Sequence, residues 1–583
     1  MHQKPLSRSV LGLGGSDHDF SAAIVTDGAI RVAIEDERLQ RVKHAETAWH
    51  AHPARDATAY CLEAAGMELG DLAGVFCCDD LDRPTAWLDW DRVTFVNHHT
   101  AHAAASFFST PHERAAVLVV DGHGSPLLKD LTDDRVETIS IGAGDRGSLV
   151  VEPLQTGTRR RTSSTWHYAT DNSIGWFYEI VTTALGFGST GQGKVMGLAA
   201  YGTPALVDAM SAFVDVRGDG TFRFDPYGGL WEWLGETLGA NPTAMQDRAD
   251  VAYASQEIFV AAIIAAANEA HHRHPAPILC FGGGCALNTL ANNRILDETP
   301  FEKVCVFPAA GDNGLSVGAA FYGAHTLLGI PRCPVTSGWQ GRAVYTGREH
   351  TSHEIDSAVR DAPVTAARPR DLEHATARSL AGGEVVAMFR GRSEIGPRAL
   401  GNRSLLALPS TARMRDHINL NIKERESFRP LAPVVPIEDV STYFEGVDES
   451  PYMLLVAQVR EEFRDRLAAV THVDGTARVQ TVRAEDNPFL HRLLQAVGEA
   501  TGVPVLLNTS LNSRGKPIVE TPADALELFT ARPIDLLVLG DRMVRKHTPW
   551  VPASSLPGWR TRSHDDLGPA EPAHTPITRN YRR

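Results

Sequence analysis

Short apolar runs broken by glycine turns pattern the first 330 residues. Ser9-Val10-Leu11-Gly12-Leu13-Gly14-Gly15 reads as a buried strand entering a glycine turn, and residues 22–25 read as a second strand. Asp27-Gly28 then leads into residues 29–34, a strong β-hairpin signal. The first turn backbone can approach a phosphate, because glycine lacks a Cβ. Apolar runs at 74–77, 93–96, 115–120, 275–280 and 304–307 predict further buried strands. Helices are expected over 56–66, 103–108, 177–185 and 195–200, the last closed by Gly202 as a C-cap. The longest apolar stretch, 258–267, predicts a buried helix segment. Further helices follow Asn288 and run from Gly314 to near Leu328.

Residues 331–370 are rich in Pro, Gly and Thr and mark a domain boundary. A helix over 371–381, a strand over 384–389 and another ending at Leu507 continue the alternation. The pattern predicts an α/β protein of two large domains, 1–345 and 346–560, with 561–583 as a tail. A chain of 583 residues exceeds what one core supports.

Composition narrows the partners. A net charge of −15 argues against bulk binding of nucleic acid or an anionic membrane. The seven cysteines are odd in number and form no zinc or disulfide spacing, so a reducing cytoplasm is expected. Met1-His2-Gln3-Lys4-Pro5 lacks the apolar core of a signal peptide, and no run of about 18 apolar residues predicts a membrane span.

Several motifs carry chemistry. In Asn97-His98-His99-Thr100-Ala101-His102, a helix beginning at His98 puts His98 and His102 on one face, where they can grip a metal; a hydrogen-bonded turn is the alternative. Asp121 ends a buried strand at Gly122, and Asp312 lies at a strand-to-helix turn. Both positions suit ligands, although Asp121-Gly122 also suits a plain turn. Gly188 to Lys194 superficially resembles a P-loop. Val195 stands where Ser or Thr should hold magnesium, so that reading fails, though Lys194 can still line an anion site. Gly282 to Asn288 joins a strand to a helix N-terminus, which suits an anion. The charged run from Glu35 to His44 reads foremost as a solvated helix face. From Arg390 to Arg429 nine basic side chains face four acidic ones, a local reversal of the chain's sign. A shaped phosphate pocket is favoured there over a nucleic-acid groove, since Phe389 and Phe428 are the sole aromatics. Asn508, Ser510 and Asn512 end a strand and fit either a polar site or a turn.

Taken in order, these segments resemble the O-carbamoyltransferases of the NodU/CmcH family. The match includes His18-Asp19, Lys43-His44, His98 to His102, Val119 to Gly124, Gly191 to Gly202, Gly282 to Asn288, Gly311 to Gly314, Gly396 to Arg403, Lys423 to Pro430, Asp474 to Gln480 and Asn508 to Asn512. The resemblance implies an actin-like (ASKHA), TsaD-like domain followed by a YrdC-like domain. It implies that carbamoyl phosphate and ATP give carbamoyladenylate in the second domain, and that a small-molecule hydroxyl takes the carbamoyl group in the first. By position, His98, His102, Asp121 and Asp312 are implied as metal ligands, for Fe(II) with Mn(II) or Zn(II) as alternatives. Arg398, Lys423, Arg429, Arg478 and Ser510 are implied for carbamoyl phosphate; Lys194, Gly283, Gly284, Asn288, Arg403, Asn508 and Arg514 for nucleotide, with Mg(II) on ATP.

His18 is then either the base for the acceptor hydroxyl or a phosphate-binding residue, and Lys43 offsets charge on the transferred group. His99 is expected to face away from the metal. The acceptor stays open among antibiotics, sugars, nodulation factors and toxins; Trp166, Trp176, Trp231 and Trp233 could line its cleft or pack in the core. A homodimer is the default assembly. The alternatives are a tRNA threonylcarbamoyl-type modification enzyme and an ASKHA small-molecule kinase.

Overall fold

The computed structural model describes residues 8–16, 18–45, 52–79, 87–88, 93–126, 134–161, 168–239, 245–333 and 344–547. The tail from 561 and Trp166 lie outside these residues.

Two sheets built on one plan make up the first half. Strands β1 (Ser9–Gly14), β2 (Ser21–Thr26), β3 (Ala29–Glu35), β4 (Gly74–Cys78) and β5 (Val93–Val96) form the first, in the order β3-β2-β1-β4-β5. The first three run antiparallel, whereas β4 and β5 run parallel to β1. Strands β6 (Arg114–Val120), β7 (Arg135–Asp145), β8 (Ser148–Arg161) and β9 (Tyr168–Thr170) begin the second sheet. A two-stranded ribbon, β10 (Val214–Val216) and β11 (Phe222–Phe224), intervenes before β12 (Ile278–Gly282) and β13 (Lys303–Val306) complete it. Its order, β13-β12-β6-β7-β8-β9, repeats the first plan with β9 added at one edge. The hairpin β6-β7-β8 is antiparallel and β12 and β13 run parallel to β6.

The helices after β5 and β13, His98–Phe108 and Leu315–Phe321, pack against each other between the sheets. They cross at Gly318, where a Cβ would drive into the carbonyl oxygen of Ala101. Gly12 and Gly14 of β1 serve the same packing. A Cβ on either would overlap the backbone of Ser316, so these glycines admit a helix rather than a phosphate. The helix Met245–Arg273 is long and apolar enough to cross a membrane by length and composition; 67% of its apolar window is buried inside the protein. The helix Gln192–Ala199 ends at Ala200 in right-handed geometry, not at Gly202, whose missing Cβ instead makes room for Ala249.

The second half is one mixed eight-stranded sheet. It contains β14 (Val364–Ala367), β15 (Val386–Phe389), β16 (Arg403–Ala407) and β17 (Ala432–Pro436). A small sheet of β18 (Phe444–Glu445), β19 (Ala457–Val459) and β20 (Thr476–Ala477) sits beside it. Strands β21 (Gln480–Val482), β22 (Leu506–Ser510), β23 (Leu536–Leu539) and β24 (Arg542–Lys546) complete the order β14-β24-β23-β15-β16-β22-β17-β21. Helices Leu372–Ala381 and Pro488–Thr501 pack together on it.

The two halves interlock. Ile395, Leu400, Ala432, Tyr452, Met453 and Leu454 share a buried cluster with Val96, Val117 and Leu315. Here the reading of residues 35–44 as a solvated face is corrected. Asp36, Glu37 and Arg38 are buried, and the Arg38 Nη2 donates to Gly396 O of the second half at 2.6 Å. Gly396 N in turn donates to Glu35 Oε1 at 2.6 Å. A charge pattern shows periodicity but not what a distant segment covers, so the run looked solvated.

Candidate metal centre and anion pocket

Asn97 ends β5 and caps the next helix, its Oδ1 accepting from Thr100 N at 2.8 Å. The helix therefore starts at His98, and one turn later His102 projects on the same face. Their Nε2 atoms stand 3.0 Å apart. Asp121, at the end of β6, brings Oδ2 to 2.9 Å from His102 Nε2 and 3.7 Å from His98 Nε2. Asp312, beyond β13, brings Oδ1 to 3.6 Å and 3.7 Å from the same atoms. One ligand atom from each residue lies within 4.8 Å of all the others. Gly122 N and Gly284 N hold the Asp121 carboxylate, and Ser16 Oγ donates to Asp312.

Burial pushes both carboxyls up, but the imidazoles of His102 and His98 overcome it and leave Asp121 well below, and Asp312 below, the usual range. Two nitrogens and two carboxylate oxygens converging in a buried space fit a divalent transition metal. His99 turns away, with Nδ1 2.7 Å from Ser140 Oγ, and its burial disfavours protonation.

The glycine loop after β12 serves this quartet. Gly283 has φ +88, and a Cβ there would overlap Val120 O, while Gly284 lies against Asp121. Asn288 is largely engaged within the protein. Its Oδ1 caps the helix Thr289–Glu298 through Ala291 N at 3.1 Å, and its amide pairs with Gln256 at 3.1 and 3.0 Å. Of its side-chain groups, one amide N–H is left for a ligand.

A second cluster lies where the halves meet. Lys423 Nζ donates to Ser510 O at 2.6 Å and lies 3.1 Å from Ser510 Oγ, with Asn512 Oδ1 also in reach. Burial pulls the Arg478 guanidinium well down, and Arg398, Arg425 and Arg429 add to this, so four guanidinium groups share one space. Burial beside Arg429 lowers Arg398 to about 10. The buried Nε atoms of Arg398 and Arg478 have no hydrogen-bond partner. Against these stands Glu426, 4.0 Å from Arg429 and 3.5 Å from Lys194. Lys194 comes from the first half and also feels Arg429 and Arg514, so it joins this pocket. Arg514 itself is exposed.

Two expected ligand residues also serve the fold. Arg403 is fully buried over the Phe389 ring, its Nη atoms given to the carbonyls of Arg390, Gly391 and Asn402. Asn508 donates to Ala399 O and to Gln480 Oε1 of β21, while its buried Oδ1 has no hydrogen-bond partner among the described residues. Nothing in the sequence separates these from exposed neighbours of the same type.

His18 lies near the quartet and Lys43 near the cation cluster. The His18 side chain is 48% exposed, with Nδ1 3.0 Å from Asp19 Oδ2; its charge acts on Asp312 and Glu179. Lys43 Nζ lies 3.9 Å from Glu37 Oε2, and its charge reaches Lys423. Sequence reasoning gave no role to Asp19, Glu37, His44, Glu179 or Arg425. Adjacency to His18 and Lys43 was the available signal for Asp19 and His44. Burial raises Glu179, on the helix Ile174–Ala184, to about 8. Trp176 on that helix is half-buried beside Gly122, Trp231 is exposed, and Trp233 packs on Phe213.

Comparison with known proteins converges on one family. Residues 84–321 match the carbamoyltransferase N-terminus family and residues 377–546 the carbamoyltransferase C-terminus family. The chain is 32% identical to the 3'-hydroxymethylcephem-O-carbamoyltransferase of Amycolatopsis lactamdurans, over 90% of this chain and 97% of that one. It is 33% identical to the nodulation protein NolNO of Sinorhizobium fredii, over 91% of this chain and 79% of that one. Among solved structures, full-length HypF in its phosphate- and nucleotide-bound form aligns with a TM-score of 0.39 at 14% identity, covering 56% of each chain. The chain belongs to the carbamoyltransferase family, enzymes that move a carbamoyl group from a donor to an acceptor.

Proposed function

We propose that the chain is an ATP-dependent O-carbamoyltransferase with two chemically distinct centres. The observation that carries this reading is the convergence of Arg398, Lys423, Arg425, Arg429 and Arg478 with too few carboxylates to balance them. Such a pocket suits two anions at once, carbamoyl phosphate and the Mg(II)-bound triphosphate of ATP. There water cleaves carbamoyl phosphate to carbamate and phosphate, and a carbamate oxygen then displaces pyrophosphate from the α-phosphorus of ATP to give carbamoyladenylate. In this reading residues 346–560 are a YrdC-like domain. The preceding part is an actin-like domain, a view supported by its two sheets of one topology.

The adenylate then reaches the first domain. His98, His102, Asp121 and Asp312 hold Fe(II), with Mn(II) or Zn(II) as substitutes. A bound ion supplies positive charge that orients and neutralises the nucleotide phosphate. His18 takes the acceptor's hydroxyl proton, and Lys43 offsets charge on the carbamoyl oxygen. The cephem relative's name supports a hydroxylated small molecule as the acceptor.

Arg398→Ala tests the division of labour. Carbamoyl phosphate-dependent ATP–pyrophosphate exchange should fall to background while metal content holds. Unaltered exchange sinks the assignment of the donor site. A screen of hydroxylated natural products with ATP and carbamoyl phosphate, read as a carbamoyl mass gain, identifies the acceptor.

A further inference from the structure

The carboxylate of Asp19 is spanned by two imidazoles. His18 Nδ1 lies 3.0 Å from Oδ2, and His44 Nδ1 lies 2.9 Å from Oδ1. The same residues are stapled through the main chain, since Asp19 N donates to His44 O at 2.9 Å. Asp19 and His44 both adopt left-handed backbone, φ 56 and φ 60, and Ala45 follows at φ 51. Non-glycine residues rarely hold this conformation, and three at one spot mark an over-determined local structure. Glu37 fixes the far side, because Oε2 accepts from His44 N at 2.8 Å and faces Lys43.

We propose that Asp19 is the positioning residue for His18, and that His44, held by Glu37, anchors Asp19 from the other side. This rests on the reading of His18 as the transfer base. With Nδ1–H given to Asp19, the His18 lone pair sits on Nε2, the tautomer a base needs. As the acceptor oxygen bonds to the carbamoyl carbon of carbamoyladenylate, its proton passes to Nε2. The carbon–oxygen bond to the phosphate breaks, and AMP leaves with the electron pair. Asp19 then faces an imidazolium that its charge stabilises.

Asp19, Glu37 and His44 also offer ligand atoms within 4.8 Å of one another, the geometry of a small metal site. The hydrogen bonds oppose that use. The two imidazoles already occupy both Asp19 oxygens, and the Glu37 oxygen receives a main-chain N–H beside an ammonium. Burial raises the Asp19 carboxyl, but the hydrogen bonds from His18 and His44 overcome it and hold it well below the usual range. Titratable groups that face His18 among the described residues include Asp19 and His44 beside it, Asp312 from the quartet and Glu179 from its own helix.

The test uses the metal-loaded full chain. Diethyl pyrocarbonate labelling of His18, read by peptide mass spectrometry across pH, gives its titration. His18→Gln identifies the labelled peptide. In Asp19→Asn the His18 midpoint should fall by about one unit or more, and Asp19→Glu should restore most of it. AMP release from ATP and carbamoyl phosphate, with water as the acceptor, should drop about 100-fold or more in Asp19→Asn at unchanged metal content. An unmoved midpoint, or loss of a second equivalent of metal in Asp19→Asn, overturns the proposal. Wild-type AMP release in His18→Gln, with the midpoint still responding to Asp19, instead removes the base role and leaves the pairing intact.

Discussion

Asp36 shows how far one side chain departs from what its neighbours suggest. It lies in a charged run, yet it is fully buried, and its two oxygens accept from Ala54 N and Ala57 N at 2.8 Å each. Burial raises it from 3.8 to about 7. A carboxyl whose folded value lies above its unfolded one favours folding while protonated. Its contribution is therefore lost as pH rises from about 4 to about 7. Asp36→Asn removes this dependence. Relative to the variant, the wild type should lose up to about 4 kcal/mol across that window, measured by urea unfolding. A constant difference across the window refutes the burial-driven shift. The same gap between type and environment explains Arg403 and Asn288. Both carry a residue type that suits a ligand, and both make buried hydrogen bonds that long-range packing creates. His98 and His102 were legible because helical spacing alone brings them together.

At the scale of elements, apolar runs located strands such as β1, β6 and β12, which are continuous buried segments bounded by turn residues, but gave no sign of the long hairpin of β7 and β8 or of most strands of the second half. Pairing partners and helix crossings lay beyond that signal, because they depend on contacts hundreds of residues apart. Gly318 is the clearest case. It lets the helix Leu315–Phe321 lie against the carbonyl of Ala101, and those two helices fix the relative positions of the histidine pair and Asp312. A single added methyl must push the helices apart. Gly318→Ala should cost about 1–3 kcal/mol of stability. It should also lower metal content although every ligand is retained, as read by elemental analysis of the purified protein. Normal metal stoichiometry in a folded Gly318→Ala protein would show that the crossing does not set the quartet.

The whole molecule joins a duplicated sheet plan to a cation-lined partner. His98 and Asp312 follow the last strands of the two sheets, β5 and β13, and with His102 and Asp121 each copy of the plan delivers two ligands. The second half then closes the junction with Lys423 and four guanidinium groups. Crowding like charges with little solvent is unfavourable unless an anion is present. The pocket therefore trades stability of the free chain for affinity. Arg478 is held well down by burial first and by Arg398, Arg425 and Arg429 next, which makes it the most informative position. Arg478→Met keeps the aliphatic volume and removes the charge, so it should melt higher than the wild type in phosphate-free buffer. Inorganic phosphate binds only the folded pocket, and a concentration near 100 times its dissociation constant should stabilise the wild type by about 2.7 kcal/mol. In Arg478→Met that gain should largely vanish. If the two proteins melt alike without phosphate and respond alike to it, Arg478 does not face the anion, and the pocket must be redrawn around Arg398, Arg429 and Lys194.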